Sequence, residues 1–244
     1  MTTDDLWRLD ASELARKIRL GRVSCREATE LCLAGLDAVN PVINAVARVL
    51  ADEALAAADA ADRARAPGDV LGPLLGVPVT TKINTDQAGC PTDNGVIARR
   101  DMIASEDNPA VANLKQAGAI IIGRTNAPAW SLRLFSDNAL HGRTLNPRDP
   151  ALSPGKSSGG ASAAVVVGIG PIAHGNDVGG PSRHALRGRA ARRPSGVAPD
   201  PGRSGGKQSR RLHPSRPGRG GAPGRTPSRR RRLHGRRSRT PRSR

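Results

Sequence analysis

Gly155-Lys156-Ser157-Ser158-Gly159 gathers a cation, two hydroxyls and flexible backbone into one short stretch. Two kinds of chemistry use such a stretch. The first is phosphate binding, where a glycine-rich loop turns its backbone N–H groups on an anion ahead of a Lys-Ser pair. That loop needs a glycine five residues before Gly155, and Pro150 stands there. The second is nucleophilic: Gly155-x-Ser157-x-Gly159 has the spacing of the sharp turn that exposes a serine after a buried strand. The residues before it carry Pro147, Pro150 and Pro154, which a buried strand does not accommodate. A Ser–His–acid set would also need Asp177 with His184, and His184 lies where the composition of the chain changes. Neither pattern is complete on its own.

The elements around this stretch alternate between helix and strand. Asp10-x-x-Glu13 and Ser24-x-x-Glu27 are capping boxes that open two helices. The second carries Ala28, Leu31, Cys32, Leu36 and Val39 at helical spacing and is expected to stop at Asn40-Pro41. A third helix, Ala-rich with a narrow apolar stripe, is expected over residues 45–65. Residues 74–82 predict a short buried strand that delivers Lys82, and Asn108-Pro109 opens a helix that runs to about Gln116. Residues 119–123 form a second β-branched run. Ser157-Ser158-Gly159-Gly160 precedes a buried helix over residues 161–167, and a last apolar run at 171–175 leads into Asn176-Asp177. Alternation of this kind predicts an α/β layer structure.

Three ordered blocks now stand out: Gly76-Val77-Pro78-Val79-Thr80-Thr81-Lys82, then Ser153-Pro154-Gly155-Lys156-Ser157-Ser158-Gly159-Gly160-Ala161-Ser162, then Gly175-Asn176-Asp177-Val178-Gly179-Gly180. With Gly72-Pro73-Leu74-Leu75 and Gly123-Arg124-Thr125-Asn126 they resemble the amidase signature family, from about residue 5 to Gly180. The resemblance implies an α/β fold, a mixed sheet flanked by helices, and a Ser–cis-Ser–Lys triad. It implies hydrolysis of a small carboxamide to carboxylate and ammonia or amine through a serine acyl-enzyme, with no metal or organic cofactor. In that scheme Lys82 is the base and Ser157 the bridging cis-serine. Val178, Gly179 and Gly180 supply N–H groups to the oxyanion. Lysine is a base near neutral pH only when desolvated, and Lys82 follows an apolar run.

The family's nucleophile is the serine directly after the Gly-Gly pair, and here that position is Pro181, followed by Ser182 and Arg183. Proline has no hydroxyl and no N–H. Ser182 is the candidate nucleophile that remains, one residue out of place, where a displacement of about 1 Å already costs a hundredfold in rate. Lys156 stands where the family has glycine. The chain as written is therefore expected to be inactive.

Composition breaks at the same place. Residues 184–244 hold 20 of the 39 Lys and Arg but one of the 21 acids, Asp200. They contain no Ile, Met, Phe, Trp, Tyr or Cys, so the segment cannot bury enough apolar surface to order itself and is expected to be a disordered tail. One reading makes it a basic arm, densest at Arg229-Arg230-Arg231-Arg232, and the chain a nucleic-acid-binding protein. The other makes it a displaced reading frame beginning near codons 180–183, because Arg, Gly, Pro, Ser and Ala dominate when GC-rich DNA is read out of frame. Loss of the nucleophile and the jump in charge coincide, which favours the displaced frame and leaves nucleic-acid binding incidental. The expected organisation is a helical N-terminal segment (1–66), a partial and incomplete amidase catalytic core (67–183) and the tail (184–244).

Other classes are excluded more simply. No apolar stretch approaches the roughly 18 residues of a membrane span. Met1-Thr2-Thr3-Asp4-Asp5 lacks the basic and apolar regions of a secretory leader. Cys25, Cys32 and Cys90, without a C-x-x-C pair, suit neither a disulfide framework nor a zinc module and point to the cytoplasm.

Overall fold

The structure is a computed structural model that describes residues 7–64 and 72–176. The chain divides into two units, Met1–Gly196 and Val197–Arg244, and every described residue belongs to the first. The segment 184–244, for which disorder is expected, lies outside the described residues, as do Asp177, Val178, Gly179, Gly180, Pro181 and Ser182.

Helix α1 (Ala11–Arg19) starts at Asp10, whose carboxylate accepts from the Glu13 N–H. Helix α2 (Cys25–Ile43) starts at the full capping box of Ser24 and Glu27. Asp62 adds a second cap from a distance, accepting from the N–H groups of Cys25 at 2.8 Å and Arg26 at 3.0 Å. The order then runs β1 (Val46–Val49), α3 (Ala51–Ala64), β2 (Pro78–Lys82), α4 (Pro109–Gln116), β3 (Ile120–Thr125), β4 (Asp137–Asn138), β5 (Gly142–Arg143), α5 (Gly159–Val166) and β6 (Ile172–Ala173).

Two expectations are corrected. The helix expected over 45–65 begins only at Ala51, because residues 46–49 pair antiparallel with β3 and Val46 is buried in that pairing. Burial against a neighbouring strand outweighs the helix propensity of the Ala-rich segment. Helix α2 likewise runs through Pro41 to Ile43. Proline near the end of a helix deletes a single backbone bond. Closure comes instead from Asn44 in the left-handed conformation (φ 53°) and from the Asn40 side chain, which both donates to and accepts from the Val46 backbone.

Strands β1, β3, β2 and β6 form one mixed sheet in that order, with β2 parallel to both β3 and β6. The expected α/β class with a mixed sheet and flanking helices is what the described residues form. All residues of β2 and β3 are buried, as expected of strands covered on both faces. One face packs Ile120 and Ile122 with α2, α3 and α5 through Leu36, Ala54, Ala58, Ala163 and Ala164. The other sets Ile121 against Leu50, Cys90 and Val111. Among the described residues no helix is long and apolar enough to cross a membrane.

Candidate active site

Parallel pairing sets Thr80 beside Gly123, Thr81 beside Arg124 and Lys82 beside Thr125, so both strands turn polar at their C-terminal ends. Ligand sites in parallel sheets form at such ends. The Arg124 guanidinium is buried there and donates to the carbonyls of Pro91, Thr85 (2.5 Å) and Lys82 (3.3 Å), pinning the loop that leaves β2.

Helix α5 approaches the same end closely. A Cβ on Gly160 would lie 2.5 Å from the Asn126 carbonyl oxygen and 2.7 Å from that of Ala45, so only glycine permits this contact. The preceding turn is fixed by Ser136, whose hydroxyl donates to the Lys156 carbonyl. Ser157 and Ser158 are thereby buried beside Lys82. Lys82 Nζ lies 3.2 Å from Ser157 Oγ and 3.4 Å from Ser158 Oγ. From the segment after β6, Asn176 presents its side-chain oxygen to Lys82 Nζ at 2.8 Å.

Lys82 is fully buried, and loss of hydration lowers its proton affinity from the ordinary value of 10.5 to about 8. His174 is lowered too, first by burial and then by the Lys82 charge. A lysine in this state is neutral often enough near pH 8 to accept a proton from a serine hydroxyl in reach. Chemically the arrangement is a proton relay from hydroxyl to amine. Among the described residues, no group of three or more His, Cys, Asp or Glu gathers as metal ligands would.

Of the residues singled out from sequence, Lys82 and Ser157 come together; Val178, Gly179, Gly180 and Ser182 lie outside the described residues. No strand occupies residues 144–158, so the strand-before-serine context of the other nucleophilic motif is absent. Every described peptide bond is trans, including the bond into Ser157 that the resemblance makes cis; trans is the ordinary state of a non-proline peptide. Sequence reasoning missed Ser158, Asn84 and Asn176. Asn84 lies in the turn directly after β2, closed by the Thr85 N–H on the Lys82 carbonyl, and Asn176 adjoins the Asp177 block, so position beside the marked residues is the one signal the sequence offered.

The fold matches known proteins. The family model Amidase matches residues 27–184. Indoleacetamide hydrolase of Bradyrhizobium diazoefficiens is 54% identical over 178 residues, covering 73% of this chain and 34% of that protein. Acylamidase of Rhodococcus erythropolis is 39% identical over 202 residues, covering 82% of this chain and 42% of that one. Among solved structures, a bacterial aryl acylamidase of the amidase signature family superposes with TM-score 0.70 at 31% identity, over 73% of this chain and 37% of that one. The chain belongs to the amidase family. It spans less than half the length of these relatives.

Proposed function

We propose that Lys82 and Ser157 are the base half of a carboxamide-hydrolysing site, and that this chain turns over amides little or not at all because Pro181 occupies the nucleophile position. The observation that carries the reading is a desolvated lysine 3.2 Å from a buried serine hydroxyl. In the proposed reaction neutral Lys82 takes the Ser157 proton while Ser157 takes that of an attacking serine. The attacking oxygen bonds to the amide carbon, and backbone N–H groups of Val178, Gly179 and Gly180 face the developing oxyanion. The proton returns through Ser157 to the leaving nitrogen, and water then cleaves the acyl-enzyme by the same relay. The names of the two relatives support small carboxamides as substrates, with indoleacetamide the first compound to assay.

We attribute the missing nucleophile to a displaced reading frame near codons 180–183. The test is an assay of the 244-residue chain beside a gene whose frame is restored to read Gly-Gly-Ser-x-Arg. Turnover is expected in the restored protein alone and should fall about a thousandfold or more in its Lys82→Ala and Ser157→Ala forms. Robust hydrolysis by the unaltered chain that disappears in Ser182→Ala would overturn this account, since Ser182 would then be the nucleophile.

A further inference from the structure

We infer that Asn176 is a positioning residue: it holds both N–H bonds of neutral Lys82 so that the amine's lone pair faces Ser157. The inference rests on the relay proposed above and adds a residue outside the lysine and serines that carry it.

A neutral amine has two N–H bonds and one lone pair, and among the described residues Lys82 Nζ has three polar neighbours in reach. One is the Asn176 side-chain oxygen at 2.8 Å. A carbonyl oxygen only accepts, so an N–H must point there. The second neighbour is Ser158 Oγ at 3.4 Å. Its own hydroxyl donates to the Asn176 backbone carbonyl at 3.2 Å, so towards Lys82 it presents a lone pair and takes the second N–H. The lone pair of Lys82 is left with the third neighbour, Ser157 Oγ at 3.2 Å. That is the direction from which a proton must arrive. Asn176 thus sets one N–H through its side chain and the other through its backbone.

An amide can turn either end towards a neighbour, and the pairing with Asn84 prevents Asn176 from turning alone. The two side chains lock head to tail: Asn176 Nδ2 donates to Asn84 Oδ1 at 3.1 Å, and Asn84 Nδ2 donates to Asn176 Oδ1 at 3.3 Å. Asn84 is anchored in turn to two hydroxyls, its Nδ2 2.9 Å from Ser131 Oγ and its Oδ1 3.3 Å from Thr85 Oγ1, and the pair of amides takes the sense that meets the N–H of Lys82 with an oxygen. Reversing Asn176 would set its NH2 against the donors of both Lys82 and Asn84. Two titratable groups stand near the lysine: the Arg124 guanidinium, which donates to the Lys82 carbonyl at 3.3 Å, and His174 after β6, whose own proton affinity the Lys82 charge lowers; no carboxylate among the described residues pairs with Lys82.

The chain has five lysines, so 13Cε-lysine labelling of the whole protein, followed by NMR against pH, reads Lys82 without any turnover; Lys82→Met assigns its signal. The unaltered protein is expected to titrate near 8. Asn176→Asp sets a carboxylate at the same contact and should raise the midpoint by about two pH units. Asn84→Ala leaves every atom touching Lys82 in place yet frees the Asn176 amide to turn, and should lower the midpoint. A merely structural Asn84 would leave it unmoved. A shift under half a unit in Asn176→Asp overturns the contact, and an unchanged midpoint in Asn84→Ala overturns the orienting lock. Should Asn176→Asp fail to fold, Asn176→Gln carries the readout, since displacing the same carbonyl by one methylene must move the midpoint and an unmoved one overturns the proposal. Turnover that survives Ser157→Ala in the frame-restored enzyme would remove the relay while leaving this titration intact, so the two readings fail separately.

Discussion

The two ends of strands β2 and β3 are equally buried and built from opposite materials. At the N-terminal end Val79, Ile120 and Ile122 are at most 2% exposed and meet other apolar side chains; at the C-terminal end Lys82, Arg124 and Thr125 are at most 1% exposed and meet carbonyls and hydroxyls. The apolar end draws its stability from area removed from water, which has no direction. At the polar end each donor and acceptor needs a partner in a particular place, and a misplaced one costs the full loss of hydration. One end therefore holds the sheet to its helices. The other stores an amine whose charge the fold disfavours.

The largest expected effect separates the two ends directly. Arg124→Met keeps much of the side-chain volume but strips donors from the carbonyls of Pro91, Thr85 and Lys82. The Lys82 carbonyl keeps the Thr85 N–H at 3.0 Å, so two buried acceptors lose their Arg124 donor at about 1–3 kcal/mol each, and about 4 kcal/mol in total is expected in urea unfolding. Leu36→Ala tests the apolar end, where Leu36 is 1% exposed within the helix–sheet core. Loss of packing and the cavity left behind should cost about 3 kcal/mol. If Arg124→Met costs less than Leu36→Ala, the polar end does not depend on satisfied partners as argued.

Lys82→Met reverses the usual direction. The lysine loses a proton near 8 in the folded protein and near 10.5 in the unfolded chain. Below pH 8 it is charged in both states and folding carries the whole cost of burying the charge. Between 8 and 10.5 the unfolded chain binds more protons, so stability rises with pH across that window. Lys82→Met should therefore be more stable than the unaltered protein at pH 7, by about 2 kcal/mol after the lost hydrogen bonds are set against the relieved burial. The advantage should shrink steadily towards pH 10.5. A difference that does not change with pH would show that burial does not perturb the lysine.

The same contrast explains what could be read from sequence. Caps and apolar spacing are local, so α1, the start of α2, α4 from Asn108-Pro109 and the buried runs of β2 and β3 were legible. Lys82 and Ser157 were legible because ordered glycine-rich blocks mark them, although 75 residues of chain separate the two. Strand β1 was hidden: residues 46–49 become a strand only by pairing with β3, far along the chain. Asn84 and Asn176 were hidden for a like reason. An asparagine reads as a turn residue until its partner is known, and theirs are each other across 92 residues of sequence. Directional contacts between distant residues leave little local trace.

The smallest expected effect places a polar contact of the same kind in water. At the start of α2 the Ser24 hydroxyl accepts from the Glu27 N–H at 3.0 Å, and the Glu27 carboxylate accepts from the Ser24 N–H at 2.8 Å. These bonds hold Glu27 below the ordinary carboxylate range. In length they fall within the 2.8–3.4 Å of the contacts around Lys82, but both are exposed. Solvent can replace the hydroxyl that Ser24→Ala removes, and Asp62 still accepts from the Cys25 and Arg26 N–H groups of the same turn. The expected cost is accordingly about 1 kcal/mol, that of an ordinary N-cap, a fraction of the loss at Arg124. It should appear as a shift of the urea midpoint with an unchanged slope, since no additional surface is exposed on unfolding. A loss at Ser24 as large as that at Arg124 would show that hydrogen-bond geometry, rather than burial, sets the cost of losing a polar partner in this protein.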